Sequence, residues 1–170
     1  MLTKKMAAAL NDQIQKEMYS ANLYLSMSSY SEHIGLKGVA NWFMVQYHEE
    51  MDHSMKLYRY LQDQGELVKI SSIEQPPTEF ESAMDMFEKT LAHEQKVTKS
   101  INNLVDLAIA EKDHASQIFL QWFITEQIEE EANDNEIIDK LKLAGNDGNG
   151  LFMIDKELGA RVFTPSASAE

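Results

Sequence analysis

Four long segments of this chain repeat apolar residues at intervals of three and four, and near the middle of each one the apolar stripe is interrupted by a glutamate. A three-four repeat places its apolar residues on one face of an α-helix. Four such helices hide those faces only against one another, in a bundle. No pair of segments shows the two-residue alternation of paired strands. The pattern predicts a first helix over 3–33, ended by Gly35 and Gly38, and a second over 39–64, stopped by Gly65. After Pro76-Pro77, Thr78 and Glu81 read as a capping box for a third helix that runs to Lys112. Asp113 reads as the N-cap of a fourth that runs to Leu143. Gly145, Gly148 and Gly150 mark a flexible turn before a short fifth helix over Leu151–Leu158. In domain terms, residues 1–145 form one bundle, 146–160 carry the fifth helix and 161–170 are a flexible tail.

The joins between helices one and two and between three and four are short, so those pairs are antiparallel hairpins. The join between two and three is long. About 13 extended residues span roughly 43 Å, and a helix of about 26 residues is about 39 Å long. The loop therefore crosses the full height of the bundle and leaves helices two and three parallel.

The stripes read Leu10, Ile14, Glu17, Ala21, Tyr24 on the first helix and Val39, Phe43, Gln46, Glu50, His53, Leu57, Tyr60 on the second. They read Met84, Phe87, Leu91, Glu94, Thr98, Ile101, Val105 on the third and Leu120, Phe123, Gln127, Glu130, Asp134, Ile137, Leu141 on the fourth. Helix midpoints lie at about one height, so Glu17, Glu50, Glu94 and Glu130 converge, with His53 one turn from Glu50. Desolvating even one carboxylate costs several kcal/mol, and no lysine or arginine stands on these stripes near the cluster. The carboxylates must take up protons or bind multivalent cations. Carboxylates with one imidazole suit Fe(II), Fe(III) or Mn(II) rather than calcium or magnesium, and four glutamates with one bridging position suit two ions.

A further cluster follows from helical geometry. Glu126, Glu129 and Glu130 stand at i, i+3 and i+4, and Glu49 lies about 100° around its helix from Glu50. Glu49, Glu126 and Glu129 then project away from the seam as a wetter, hard-oxygen site without histidine. Glu130 bridges it to the central pair.

Glu50-x-x-His53, with Glu17 and Glu94 opposite, resembles the ferritin-like di-iron proteins, in which two helices each give a Glu and two give Glu-x-x-His. The fourth helix departs, with Gln127 and Glu130 where Glu and His are expected. Its run Thr125-Glu126-Gln127-Ile128-Glu129-Glu130-Glu131 is instead similar to the bacterial non-haem ferritins, as are LNDQIQKEMYSANLYLSM, HEEMDH, AHEQ, LQWF and IIDKLKLAGNDGNGLFMIDKEL. The resemblance covers nearly the whole chain. It implies a ferritin-like four-helix bundle with a short fifth helix near fourfold contacts, in a hollow homo-oligomeric shell of about twenty-four subunits. It implies ferroxidase chemistry, in which O2 or peroxide oxidises Fe(II) and ferric oxyhydroxide is stored. By residue, it implies that Glu17, Glu50 and His53 hold the first iron and that Glu94, Glu50 and Glu130 hold the second, with Glu50 bridging. Gln127 stands at the metals as a donor to the ligands, Tyr24 hydrogen-bonds a ligand or passes an electron, and Glu49, Glu126 and Glu129 hold a third iron.

Other residues carry less. His48 and His93 read as surface or interface residues, His33 and His114 as helix ends, and Trp122 as packing. Met51 stands beside Glu50 where haem-bearing relatives carry a methionine, but among ten methionines that is no signal, and no haem is expected. The absence of cysteine excludes thiolate chemistry and counts against a rubrerythrin-like peroxidase, whose family adds a cysteine-rich module. A DNA-protecting mini-ferritin would carry basic tails, and a non-catalytic helical scaffold would be indifferent to iron. A formal charge of -13 repels nucleic acid and anionic membranes. The start has no sustained apolar run of the kind a signal peptide needs, and a cytoplasmic location is expected.

Overall fold

The computed structural model describes residues 2–145 and 147–165, whose helices are α1 (Lys4–His33), α2 (Lys37–Asp63), α3 (Ala83–Ala110), α4 (His114–Ala144) and α5 (Gly148–Leu158). Thr3 caps α1 by accepting from the Met6 amide, and Asp113 caps α4 by accepting from the Ser116 amide. Gly35, at φ +86, closes α1, and the next amide, of Leu36, returns to the Ser31 carbonyl at 2.9 Å.

Three local expectations are corrected. The box at Thr78 and Glu81 does not start α3. Ser82 does, accepting from the Asp85 amide, while the Asp85 carboxylate accepts from the Glu81 amide at 3.0 Å. The chain stays extended until then because Phe80 is buried against Tyr30. Gly38 does not break a helix but lies in the first turn of α2. Of the three late glycines only Gly145, at φ +56, turns the chain, while Gly148 and Gly150 lie within α5.

The crossover, residues 64–82, runs along α1. The Lys69 amide donates to Asn11 Oδ1 at 2.7 Å, Gln15 Nε2 donates to the Ser72 carbonyl at 2.8 Å, and the Ser26 hydroxyl donates to the Pro77 carbonyl. Successive loop residues meet successive residues of α1, so the chain climbs back from the end of α2 to the height at which α2 began. α2 and α3 are therefore parallel, as the loop length predicts.

The apolar core is in two halves. One gathers Tyr24, Phe43, Trp42, Phe87, Ile137 and Leu141 with Ile154 and Leu158 of α5. The other gathers Leu10, Ile14, Leu57, Ile101, Leu120 and Phe123. The residues between them along each helix include the interrupting glutamates. The stripes on α1 and α4 are buried throughout. On α3, Met84, Leu91, Thr98 and Val105 lie at the edge of the buried face, whose centre carries Phe87, Thr90, Glu94, Val97, Ile101 and Leu104. The difference arises because α3 packs against both α1 and α4 and so buries a wider arc than one seam. Among the described residues no helix is long and apolar enough to cross a membrane.

α5 seats against the start of α2. The Asp155 carboxylate accepts from the Val39 amide at 2.9 Å, and a Cβ on Gly38 would fall 1.5 Å from the Asp155 carbonyl oxygen. Gly38→Ala should therefore push α5 off α2 and destabilise the chain by about 1–3 kcal/mol, read as a lower urea midpoint with the helix content retained. An unchanged midpoint would show that α5 does not depend on this close approach.

Candidate metal centre

The layer between the core halves contains Glu17 on α1, Glu50 and His53 on α2, Glu94 on α3 and Gln127 and Glu130 on α4, all at most 5% exposed. Glu17, Glu50 and His53 each present a ligand atom within 4.8 Å of the other two. His53, Glu126 and Glu130 form a second group on the same criterion. His53 thus belongs to both, and its Nδ1 lies 3.6 Å from Glu50 Oε2.

Neutral donors hold these carboxylates. Gln13 Nε2 donates to Glu17 Oε1 at 2.9 Å, and Gln46 Nε2 to Glu130 Oε2 at 2.8 Å. Gln127 Nε2 donates to Glu94 Oε2 at 2.9 Å, and the Tyr24 hydroxyl donates to Glu94 Oε1. Glu17 Oε2 and Glu50 Oε2 are left buried without a hydrogen-bond partner. Lone pairs in that state favour a cation or a proton.

The electrostatics follow. Burial, then the Glu94 and Glu17 charges, push Glu50 well up. Burial raises Glu94 against the pull of Tyr24 and Gln127, and burial with Glu94 pushes Glu130 up to about 8. Burial, then the Glu94 charge, also pushes the Tyr24 phenol up, so it stays protonated and donates.

The outer cluster lines a cavity of about 460 Å³ that contains Glu49, Glu126, Glu129 and Glu130 together with His53 and Trp122. Helical geometry pointed to those glutamates, and the His53 ring also presents a nitrogen near Glu126 and Glu130. Arg161, from the chain after α5, pairs with Glu49 at 2.7 Å. Burial raises Glu49 despite that partner, and it raises Glu126 as well.

Several residues have a place that sequence reading missed. Gln13 stands four residues before the Glu17 it holds, a same-face spacing that identifies a donor once the ligand is known, whereas Gln46 donates across helices to Glu130, which no spacing along α2 shows. Asp134, four residues after Glu130, has both carboxylate oxygens buried without a hydrogen-bond partner. Burial, then the Glu94 and Glu130 charges, push it up to about 9. Arg161 has no sequence signal at all. Arg161, Phe163 and Thr164 of the expected tail line this cavity, and the Phe163 ring lies 5.4 Å from that of His48, tilted against it. Residues 166–170 are outside the described residues.

His93, read as a surface or interface residue, lines a surface cavity with Tyr19 and Lys96. It is half-buried, its Nε2 lies 2.8 Å from Ser20 Oγ, and its ring meets Tyr24 edge-on. Burial, then Lys96, lower it to about 4. Exposed His48 matches the expectation. Trp122 packs edge-on against His53 at 5.2 Å, with Lys56 over its indole.

Residues 7–144 match the family profile of the ferritin-like domain. The chain is 47% identical to a bacterial non-heme ferritin of Campylobacter jejuni, over 92% of this chain and 93% of that one. It is 45% identical to a probable bacterial non-heme ferritin-like protein of Haemophilus influenzae, over 94% and 96%. Among solved structures it is similar to an engineered closed form of the Archaeoglobus fulgidus ferritin, with a TM-score of 0.95 and 48% identity over 96% of this chain and all of that one.

Without metal, Glu130 and Asp134 keep their protons to about 8 and about 9, whereas unfolded carboxyls lose theirs near pH about 4. The folded chain binds more protons throughout that window, so its stability falls as pH rises through it. Calorimetry in chelator should show the melting temperature declining from mildly acidic pH toward about 9. Asp134→Asn should flatten the alkaline part of that decline and raise the melting temperature there. A profile unchanged by Asp134→Asn would contradict a protonated Asp134.

Proposed function

Because the chain belongs to the ferritin-like family and is an iron-storage protein of the bacterial non-haem ferritin type, we propose that its buried carboxylate layer is a ferroxidase centre. It oxidises Fe(II) with O2 or peroxide, and the product is stored as ferric oxyhydroxide inside a hollow shell of about twenty-four chains. The observation that carries this reading is the buried group Glu17, Glu50 and His53, in which two carboxylate oxygens lack hydrogen-bond partners.

Iron is the substrate. Glu17, Glu50 and His53 hold one Fe(II), and Glu94, Glu130 and the bridging Glu50 hold the other. Two ferrous ions supply the two electrons that, with two protons, convert O2 to hydrogen peroxide. The residues prepare that step in three ways. The raised carboxyls of Glu50, Glu94 and Glu130 give up protons as iron binds, at the place where oxygen reduction consumes them. Gln13, Gln46, Gln127 and Tyr24 orient the ligands through single hydrogen bonds and bring no positive charge to compete with the metal. The aromatic and aliphatic halves above and below exclude water, which strengthens each carboxylate–metal attraction. Glu49, Glu126 and Glu129, with Glu130, hold a third, wetter iron on the way between the centre and the stored mineral.

Glu50→Ala should remove both central ions' shared ligand. The initial rate of aerobic Fe(II) oxidation, followed with an oxygen electrode, should fall to near the uncatalysed rate while the fold is kept. A variant with the parent's initial rate would take Glu50 out of the reaction.

Exposed Phe152 and Met153 on α5 and Leu143 at the end of α4 are 66%, 63% and 89% exposed. Such apolar area at one end of the chain suits a contact between copies. Sedimentation of the full chain at neutral pH should give a particle of about twenty-four subunits, and truncation after Gly150 should weaken it. A monomer or dimer for the full chain would defeat the shell.

A further inference from the structure

The outer cavity already contains a cation. The chain after α5 is fastened to α2 by Asn41, whose Nδ2 donates to the carbonyls of Arg161 at 2.9 Å and Leu158 at 3.3 Å. From that anchored backbone the Arg161 side chain crosses the face of Trp42, its guanidinium 4.7 Å from the ring centroid. It reaches Glu49, where Nη2 donates to Oε2 at 2.7 Å. Its Nη1 is buried without a hydrogen-bond partner. The guanidinium is therefore incompletely satisfied where it lies, and the carboxylate it neutralises stands in the cavity with Glu126, Glu129 and Glu130.

The contrast with the central layer carries the inference. There, the donors to Glu17, Glu94 and Glu130 are neutral amides and a phenol, so no positively charged donor must leave those carboxylates when a metal ion arrives. At Glu49 a full positive charge occupies the carboxylate oxygen that a metal ion would use. A divalent ion bound there would face that guanidinium at close range, and like charges at such a separation in a half-buried site repel strongly.

We propose that the Arg161 guanidinium is the resident counter-cation of the outer cavity, holding the place of a metal ion at Glu49, and that by competing for that carboxylate it sets how weakly the cavity holds Fe(II). The inference rests on the reading of this cavity as the third iron site. Anchored by Asn41, the backbone stays in place, and the side chain alone swings aside when iron enters and returns when iron leaves. Linkage is reciprocal: whatever factor Arg161 takes from iron affinity, bound iron takes from the Arg161–Glu49 pair. An ion in such a cavity is held loosely enough to move on. Arg161 is a positioning residue, acting through Glu49 and touching no reacting atom.

The test is anaerobic titration of the assembled full chain with Fe(II) alone, by calorimetry. Arg161→Gln should tighten the outer equivalent about tenfold and leave the two central equivalents unchanged. Arg161→Lys, which keeps the charge, should stay near the parent. An outer affinity that does not rise in Arg161→Gln, or that rises equally in Arg161→Lys, overturns the proposal.

The triple change of Glu49, Glu126 and Glu129 to Gln identifies the outer equivalent. If that change removes no Fe(II), the third site fails and the role of Arg161 fails with it. If it removes one equivalent that Arg161→Gln leaves unaltered, only the role of Arg161 falls. Should Arg161→Gln not assemble, anaerobic Fe(II)-soaked crystals of the parent decide the matter. Iron in the outer cavity with the guanidinium moved away from Glu49 supports the proposal. Iron there beside an undisturbed Arg161–Glu49 pair, or no iron there, refutes it.

Discussion

Bringing four carboxylates from four helices into the dry middle of one bundle is the constraint on which the rest of this structure depends. Each must be compensated, and the compensation determines what the layer does. Had lysine or arginine supplied it, the layer would be a buried ion-pair network, self-satisfied and indifferent to metals. Here glutamine amides and a tyrosine hydroxyl supply the hydrogen bonds instead. These donors orient the oxygens without cancelling their charge. The unmet part of the compensation is left to protons or to cations.

The architecture around the layer serves the same end. The core is split into an aromatic-rich half and an aliphatic-rich half, and together they fix the helices firmly enough that the charged layer between them does not spread apart. The parallel run of α2 and α3, made possible by a crossover pinned to α1 at Asn11, Gln15 and Ser26, brings Glu50 and Glu94 to one height. Helix α5 closes one end of the bundle, and the chain that leaves it delivers Arg161 to the outer cavity. The central layer is compensated by neutral donors and the outer cavity partly by a guanidinium. On the proposed reading, that difference separates a centre that holds two ions tightly from a cavity through which an ion passes.

The charged residues of the central layer were legible in the sequence because they interrupt a regular pattern. Glu17, Glu50, His53, Glu94 and Glu130 occupy apolar positions of a three-four repeat, so helix geometry alone turns them inward, and matched helix midpoints bring them together. Of the donors only Gln13 follows a local rule, four residues before the Glu17 it holds, while Gln46 and Gln127 donate across helices to Glu130 and Glu94. Boundaries were less legible. Ser82 rather than Thr78 caps α3 because a buried Phe80 holds the preceding chain extended, and Gly38 serves a close approach by α5 rather than a helix stop. His93 reads as a surface or interface residue from its place beside the stripe, and α3 buries a wide enough arc to cover half of it.

What the sequence by itself determined is everything that depends on residues within a few turns of one another: the four amphipathic helices, the inward glutamates, the length of the crossover and hence the parallel pair. What only the tertiary structure decided is which groups meet across long separations. Arg161 reaches Glu49 across most of the chain, His53 serves two groups of carboxylates, and Asp134 is sealed off with neither oxygen hydrogen-bonded. Helical periodicity places a side chain on a face because backbone hydrogen bonds repeat every few residues. No such local repeat governs where a segment beyond the last helix comes to rest. Its position is set by the packing of Gly38 against Asp155 and of Asn41 against Arg161, contacts that exist only once the bundle has formed.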